Sequence, residues 1–521
     1  MQDCGKIVAS KFFPVPDHPP NQYPLCETDY FKRLDLLCFK CGGALRGSYI
    51  TALDRKYHIE HFTCSICPTV FGAQDSYYEH DSSVFCHYHY STRFAQRCNG
   101  CQTAILKQFV EIFRNGQNQH WHPECYMIHK YWNVRLHSPG QPIYERPSIE
   151  GDASEAERKK VKSEEEAIEE KVLWIWRTLS AYEERSATCI SDMLLHVSNG
   201  AYMEGVMSAR RFIVHVDLLF AAADDLDYLI VTQTPKGSVF LPNMHSTADQ
   251  LNSGLSYSRE AKLLCKKVVA FFSLLAESQE TGVRRLGVTQ ELLSLVTGLA
   301  HYLKLLIRIC LQGALKLERE TGSDRGLHEF LDTINGLENK LELEEGKESS
   351  AELAAYVQES SDTCPICLKP VEDKCYRWED RVYHTTCMNC DSCQRDLSLQ
   401  SDYALWDDRE QRLLCQDCIG SKKEFVQGQF IAVTRLQQYV HLLRVAHARL
   451  LATLRTSGAL PHTSGKLSSG QGAPGFPELL YQMIRTSTNM THNQDTDYQS
   501  SPSRQARLYY APTPDRNRSA A

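Results

Sequence analysis

No run of eighteen or more residues in the sequence is free of charge, so a membrane-spanning helix is not expected. The most apolar stretch, Leu292 to Leu317, is broken by His301, Lys304 and Arg308 and reads as a buried helix. The opening Met-Gln-Asp-Cys-Gly-Lys lacks the apolar block of a secretion signal. A basic excess is missing too. The 57 Lys and Arg face 64 Asp and Glu, for a net charge of −7, which counts against a general nucleic-acid binder. A G-x4-GK[ST] phosphate loop, an HExxH helix and a G-x-S-x-G elbow are all missing, so no common enzyme motif is present. These absences lead to the expectation of a cytoplasmic protein that is not an enzyme.

Cysteine, by contrast, is abundant: 21 Cys and 20 His in 521 residues. Ten Cys lie between residues 1 and 125, eight between 364 and 418, and three in the long stretch between. Without a secretion signal, clustered Cys with His points to metal rather than to disulfides.

The complete pattern is at 364–418. Cys364-x2-Cys367 is followed by His384-x2-Cys387, then Cys390-x2-Cys393 and Cys415-x2-Cys418. A C-x2-C turn brings two thiolates to one Zn²⁺, and a second pair from a distant segment completes a tetrahedron. The first four donors form one site and the last four a second. The same grammar recurs with Cys38, Cys41, His58 and His61, then Cys64, Cys67, Cys86 and His89. A third copy is half present: Cys98, Cys101, His122 and Cys125 complete one site, but Ile128 stands where the next ligand should be. Cys4, Cys26 and Asp29 match the last three ligands of a further, incomplete site. Four cysteines, Cys189, Cys265, Cys310 and Cys375, fall outside the pattern, and His87 is off register and reads as a surface histidine. Each full site uses four protein donors and leaves no open position, so the zinc is expected to be structural, contributing on the order of 10 kcal/mol per site.

The spacing resembles the LIM domain, a pair of sequential zinc modules, and fits an interleaved RING finger badly. The predicted organisation is a LIM remnant at 1–32, a LIM domain at 36–92, a half LIM at 96–132, and a Pro/Gly/Ser linker at 138–153. A helical domain follows at 154–350, then a LIM domain at 362–420, a helix at 422–455 and a disordered tail at 457–521 containing an apolar island at 476–484. The fold class is therefore multidomain: small zinc-stapled β-hairpin modules plus an all-α domain. Glu155–Lys171 reads as a solvated helix face, Asn199-Gly200 as a helix stop, 232–254 as a loop and Leu327–Leu343 as one helix of near-3.6-residue apolar period.

The order of modules resembles the N-terminal part of fungal LIM-containing Rho GTPase-activating proteins, over about residues 1–455. The stretches that carry the likeness are Tyr23-Pro-Leu-Cys-Glu-Thr-Asp-Tyr-Phe-Lys-Arg-Leu-Asp-Leu-Leu-Cys38, Ala104-Ile-Leu-Lys-Gln-Phe-Val-Glu111 and Trp121-His-Pro-Glu-Cys-Tyr-Met-Ile128. The resemblance implies action in Rho-type GTPase signalling, with cell-wall, actin-cytoskeleton and polarity proteins as partners and sites of polarised growth as the location. In that family a helical GAP domain supplies an arginine finger. Only 103 residues follow Cys418 here, fewer than such a domain needs, so none of its residues is carried over. The expectation is a zinc-dependent protein-interaction scaffold. The alternatives are a GTPase activator acting through the helical region or a missing C-terminal part, and a LIM transcriptional adaptor.

Overall fold

The computed structural model describes residues 4–5, 7, 12–14, 23–72, 75–114, 116–137, 153–233, 254–281, 286–345, 362–379, 381–398, 401, 404–407, 410–418, 426–427, 429–456, 497–499, 503–505 and 507–510. The expected linker at 138–152, most of the loop at 232–254 and the apolar island at 476–484 lie outside these residues. The chain divides into two compact units. The first comprises 1–127, 135–173 and 493–521, and the second 128–134 and 174–492.

In the first unit three hairpins follow one another: β1 (Ser48–Ala52) with β2 (Arg55–Tyr57), β3 (Ser76–His80) with β4 (Ser83–Phe85), and β5 (Phe109–Arg114) with β6 (Gln117–Trp121). The first two turn through two residues of positive φ, Leu53-Asp54 and Asp81-Ser82. That is the mirror-image turn whose twist matches paired strands. Short helices α1 (Glu27–Arg33), α2 (His87–Arg93) and α3 (Pro123–Trp132) each start next to a cysteine or histidine of the zinc pattern. Phe62, between the donors His61 and Cys64, is fully buried and meets Tyr57, Phe71 and Tyr77 at 5.1–5.4 Å. This aromatic cluster joins the two modules of the domain.

Three further strands, β13 (Asp497–Gln499), β14 (Ser503–Gln505) and β15 (Arg507–Tyr510), complete these sheets. Composition predicts disorder over 457–521, most of which lies outside the described residues, and these three short strands are the described part of that tail. The partners are backbone groups of β1, β3 and β5, which composition does not report.

Helix α4 (Glu155–Ser198) begins in the first unit, and its residues up to Leu173 group there. Its Glu/Lys run is a solvated face with i,i+4 pairs such as Lys159–Glu155 at 2.7 Å. Glu165 breaks the expectation. It is 3% exposed, pairs with Arg97 at 3.2 Å, and faces His87 at 3.4 Å. His87 is accordingly not a surface histidine. Burial lowers its pKa against the pull of Glu165.

The second unit is a helical bundle with a zinc-pattern domain packed on it. Its helices are the rest of α4, α5 (Tyr202–Gln233), α6 (Ser258–Thr281), α7 (Leu286–Thr321), α8 (Arg325–Asn335), α9 (Leu337–Glu345) and α10 (Arg435–Thr456). The stop predicted at Asn199-Gly200 ends α4: Gly200 has φ +76° and the Ala201 N–H donates to the His196 carbonyl. The single helix expected over 327–343 is two, divided at Gly336. By length and composition alone, α7 could cross a membrane, but 50% of that apolar window is buried inside the unit. Cys189, Cys265 and Cys310 are buried in these helices, and burial pushes each thiol up to about 12.

The second domain repeats the hairpin plan with β7 (Cys375–Trp378), β8 (Arg381–His384), β9 (Ala404–Asp407) and β10 (Arg412–Cys415). Two strands that follow it, β11 (Val426–Gln427) and β12 (Ile431–Val433), pair with β9 and β7. The helix expected from 422 thus starts only at Arg435. Thr434 caps it: its hydroxyl takes the Gln437 N–H, and the Gln437 side chain takes the Thr434 N–H. The arginines of α10 do not all meet the bundle. Arg444 pairs with Asp217 of α5, whereas Arg435 and Arg449 hold Asp373 and Asp362 of the zinc-pattern domain.

Asp224 accepts hydrogen bonds from the hydroxyls of Thr434 at 2.5 Å and Tyr257 at 3.4 Å. Burial pushes its carboxyl up to about 6. A raised carboxyl favours the folded state while protonated, so its contribution is lost as pH rises through about 6. Asp224→Asn, which keeps an acceptor for Thr434, should raise the thermal stability of the chain at pH 7 by a few °C and flatten the pH dependence between about 4 and 6.

Candidate metal centres

Each C-x2-C turn is built the same way. The N–H of its first cysteine donates to the carbonyl five residues on: Cys38 to Gly43, Cys64 to Thr69, Cys98 to Thr103, Cys364 to Lys369 and Cys390 to Arg395. In four of the five, the residue after the second cysteine lies in the left-handed region and returns its N–H to the first cysteine's carbonyl. These residues are Gly42, Gln102, Leu368 and Gln394. The fifth position holds Pro68, whose ring fixes φ and which has no N–H to give. The turn therefore aims both sulfurs at one point, largely through backbone geometry.

The opposing pair comes from the end of each hairpin. Its leading residue donates a backbone N–H to the first cysteine's sulfur: His58 to Cys38, Cys86 to Cys64, His122 to Cys98 and Cys415 to Cys390, at 3.3–3.4 Å. Burial opposes ionisation at Cys38 and Cys390, but the amides aimed at the sulfurs outweigh it and hold both thiols at about 6. At Cys64 the hydrogen bond with the Cys86 thiol is the larger cause, and the thiol falls to about 4. Cys86, opposite, is pushed upward by that shared proton, and in the third site Cys125 is pushed upward by hydrogen bonds with the Cys101 and Cys98 thiols. His58 and His384 turn Nδ1 to the cluster and Nε2 to a carbonyl, Ala44 and Pro370, each at 3.1 Å. That fixes the ring and the tautomer, as zinc-binding histidines require.

Five sets of four donors gather, all within 4.8 Å inside each set: Cys38, Cys41, His58, His61; Cys64, Cys67, Cys86, His89; Cys98, Cys101, His122, Cys125; Cys364, Cys367, His384, Cys387; and Cys390, Cys393, Cys415, Cys418. A tetrahedron with Zn–S of ~2.3 Å and Zn–N of ~2.0 Å has edges of about 3.8 Å for S···S, about 3.5 Å for S···N and about 3.3 Å for N···N. The observed edges are 3.7–3.9 Å for Cys67–Cys86 and Cys393–Cys415. They are 3.2–3.5 Å for Cys41–His58, Cys38–His61, Cys86–His89 and Cys367–His384, and 3.2 Å for His58–His61. The donor chemistry and spacing suit Zn²⁺, which supplies a closed tetrahedral cross-link when bound.

The remaining thiols separate from these sets. Cys4 and Cys26 lie 3.8 Å apart and Cys26 contacts Asp29 at 3.0 Å, so three donors meet there. Ile128 is fully buried on α3 in place of a ligand. Four residues on, Trp132 packs on Trp176 and donates to Glu183 at 3.0 Å, so an apolar anchor stands where a second zinc module would follow. Cys375 is buried in β7, donates to Gln438 and joins none of these five sets. Sequence reasoning missed Gln438 and Glu165, because neither carries a motif and their partners are distant in the chain. Gly100 matters by close approach: an added Cβ would sit 2.8 Å from the Cys125 Cβ and 3.2 Å from Trp121. Gly100→Ala should cost about 1–3 kcal/mol and weaken retention of the third zinc, measurable as a lower chelator concentration for release of one ion per chain.

The LIM domain family matches residues 38–94 and 364–423. The chain is 44% identical over 462 residues to the Rho-type GTPase-activating protein 1 of Schizosaccharomyces pombe, covering 87% of this chain and 38% of that protein. It is 30% identical over 457 residues to the Rho-GTPase-activating protein LRG1 of Saccharomyces cerevisiae, covering 85% of this chain and 43% of that one. Paxillin homolog 1 of Caenorhabditis elegans is 29% identical over 125 residues, 24% of this chain and 28% of its own length. The chain thus spans about two fifths of the two fungal relatives. No solved structure matches. The chain carries two LIM domains and is homologous to fungal Rho-type GTPase-activating proteins over the aligned part, and no GAP domain is detected in it.

Proposed function

We propose that this chain, with its two LIM domains and its homology to fungal Rho-type GTPase-activating proteins, is a zinc-built docking and regulatory part of Rho-type GTPase signalling. The observation that carries the reading is the closure of the five donor sets: every position of each tetrahedron is filled by protein, leaving none for water or substrate. The zinc ligands are the twenty residues of those sets, with Cys4, Cys26 and Asp29 as a weaker, three-donor site. Residues 1–32, 36–92, 96–132, 154–350, 362–420 and 422–455 act as the modules of this scaffold. Without an open metal position, function falls to the module surfaces, and tandem modules gain affinity through avidity. The partners are proteins of the Rho pathway and of the polarity or actin machinery, met in the cytoplasm, with neither nucleic acid nor a membrane span involved.

The test adds purified, zinc-loaded chain to a GTP-loaded Rho-type GTPase. Capture of the GTPase or of its pathway proteins with unchanged GTP hydrolysis supports a docking role. Hydrolysis accelerated by the chain, and abolished by substituting one arginine of 154–350, would make the helical region a GTPase activator and overturn the reading.

A further inference from the structure

The first LIM domain and the third zinc module meet at a short seam: the LIM match ends at residue 94 and the next donor is Cys98. Arg97 takes part on both sides of it. Its backbone pairs with Ala104 of the third module, and its guanidinium reaches back to donate to the Ser91 carbonyl of α2 at 3.0 Å. One apolar cluster also crosses the seam, running from the LIM domain to Ala104 and Leu106. Apolar burial is non-directional, so it holds two modules together without fixing the angle between them.

Glu165 of α4 supplies the directional contacts. One carboxylate oxygen accepts from Arg97 at 3.2 Å and from the Ala104 N–H at 3.5 Å, and the other lies 3.4 Å from Nε2 of His87 on α2. A single side chain, 3% exposed, thus touches the LIM domain, the third module and the residue between them. A buried carboxylate is costly once its partners are removed, so this one is stable only where all three meet. Its neighbours four residues away on the same helix face hold α4 in place. Val161 packs on the edge of the apolar cluster, and Glu169 pairs with Lys107 of the third module at 3.0 Å. Tyr78 of β3 feels the same stripe: burial, and then the carboxylates of Glu169 and Glu165, push its phenol up to about 12. All of these residues belong to the first compact unit.

We infer that α4 is a splint across the seam: Glu165 sets the angle between the first LIM domain and the third zinc module, so that residues 38–125 carry one rigid docking surface rather than two hinged ones. A partner that spans both modules then binds without first losing freedom at residues 95–97, which is the gain of preorganisation. The use of this surface rests on the docking reading above, whereas the rigidity stands apart from it.

The test uses the zinc-loaded full chain and two substitutions of one residue. Glu165→Leu keeps a helix former of similar volume and removes both acceptor oxygens. Glu165→Gln keeps one carbonyl oxygen for Arg97 and Ala104 and is the conservative rescue. Residual dipolar couplings are measured for 38–94 and 98–125. One alignment frame should fit both segments in the intact chain and in Glu165→Gln, whereas Glu165→Leu should need two. The Ala104 amide should exchange at least about tenfold faster in Glu165→Leu than in the intact chain. A single frame with unchanged Ala104 exchange in Glu165→Leu overturns the splint, as do two frames in the intact chain. Equal loosening by the two substitutions overturns it as well, because the acceptor oxygen would then have no part. Zinc is counted in the same samples. Five ions throughout place the effect at the seam, whereas an ion lost with Glu165→Leu makes the carboxylate a support of the metal site and overturns the splint. Failure of the docking reading is seen separately, as no capture of Rho-pathway proteins by the intact chain, and leaves the couplings as they are.

Discussion

Stripping zinc with a chelator should abolish amide protection across 38–89, 98–125 and 364–418 while the bundle of α5, α6, α7 and α8 keeps its helical signal. The hairpins have strands of three to six residues, and a lone two-stranded hairpin is marginal in water. What holds each module is the tetrahedral cross-link between a C-x2-C turn and the end of its hairpin, contributing on the order of 10 kcal/mol per site. The bundle has its own core: Phe212, Leu219, Phe271, Leu299, Ile307, Leu311 and Phe330 are all nearly or fully buried. Elemental analysis before chelation should give about five Zn²⁺ per chain, one for each four-donor set. Two or fewer, or protection that survives metal removal, contradicts the picture.

Replacing one leading cysteine should break its own domain. In Cys64→Ser the sulfur that receives the Cys86 N–H and approaches the His89 ring becomes a hard, neutral hydroxyl, a poor zinc ligand. The site loses most of its binding energy, on the order of 5 kcal/mol or more. Because Phe62 is packed between the two modules, loss of the second also loosens the first. Cys390→Ser should act the same way at 390–418, where Cys390 takes the Cys415 N–H. Limited proteolysis should then cut within the altered LIM domain and spare α5 to α8, and zinc should fall by one to two ions. Cys375→Ser is the control. It alters a buried thiol in the same domain that lies outside the five four-donor sets, and it should leave the zinc count unchanged.

The zinc pattern was legible because its chemistry is local. A C-x2-C turn needs only a few residues to aim two sulfurs, and a histidine or cysteine at a fixed distance completes the set, so spacing alone groups the donors. The grouping of Cys98, Cys101, His122 and Cys125 was legible for the same reason, and Ile128 cannot bind zinc. The helix boundaries set by Gly200 and Gly336 are also local, one foreseen and the other passed over because apolar periodicity continued through it. Glu165 was misread because an exposed Glu/Lys run and a run with one buried member look alike until Arg97 and His87 arrive from another module.

The sequence by itself pointed to zinc, to the five groups of Cys and His that the structure gathers, and to the likeness to Rho-type GTPase-activating proteins. Those depend on donor type and short spacing, which the chain carries openly. Only the tertiary structure decided how the hairpin edges pair: β11 and β12 on the second LIM domain, and β13, β14 and β15 on the first three hairpins. Strand addition is made by backbone groups that every residue possesses. A Ser-, Gln- and Arg-containing stretch therefore gives no compositional sign that it will pair, and the partner edge becomes visible only when the hairpins are built.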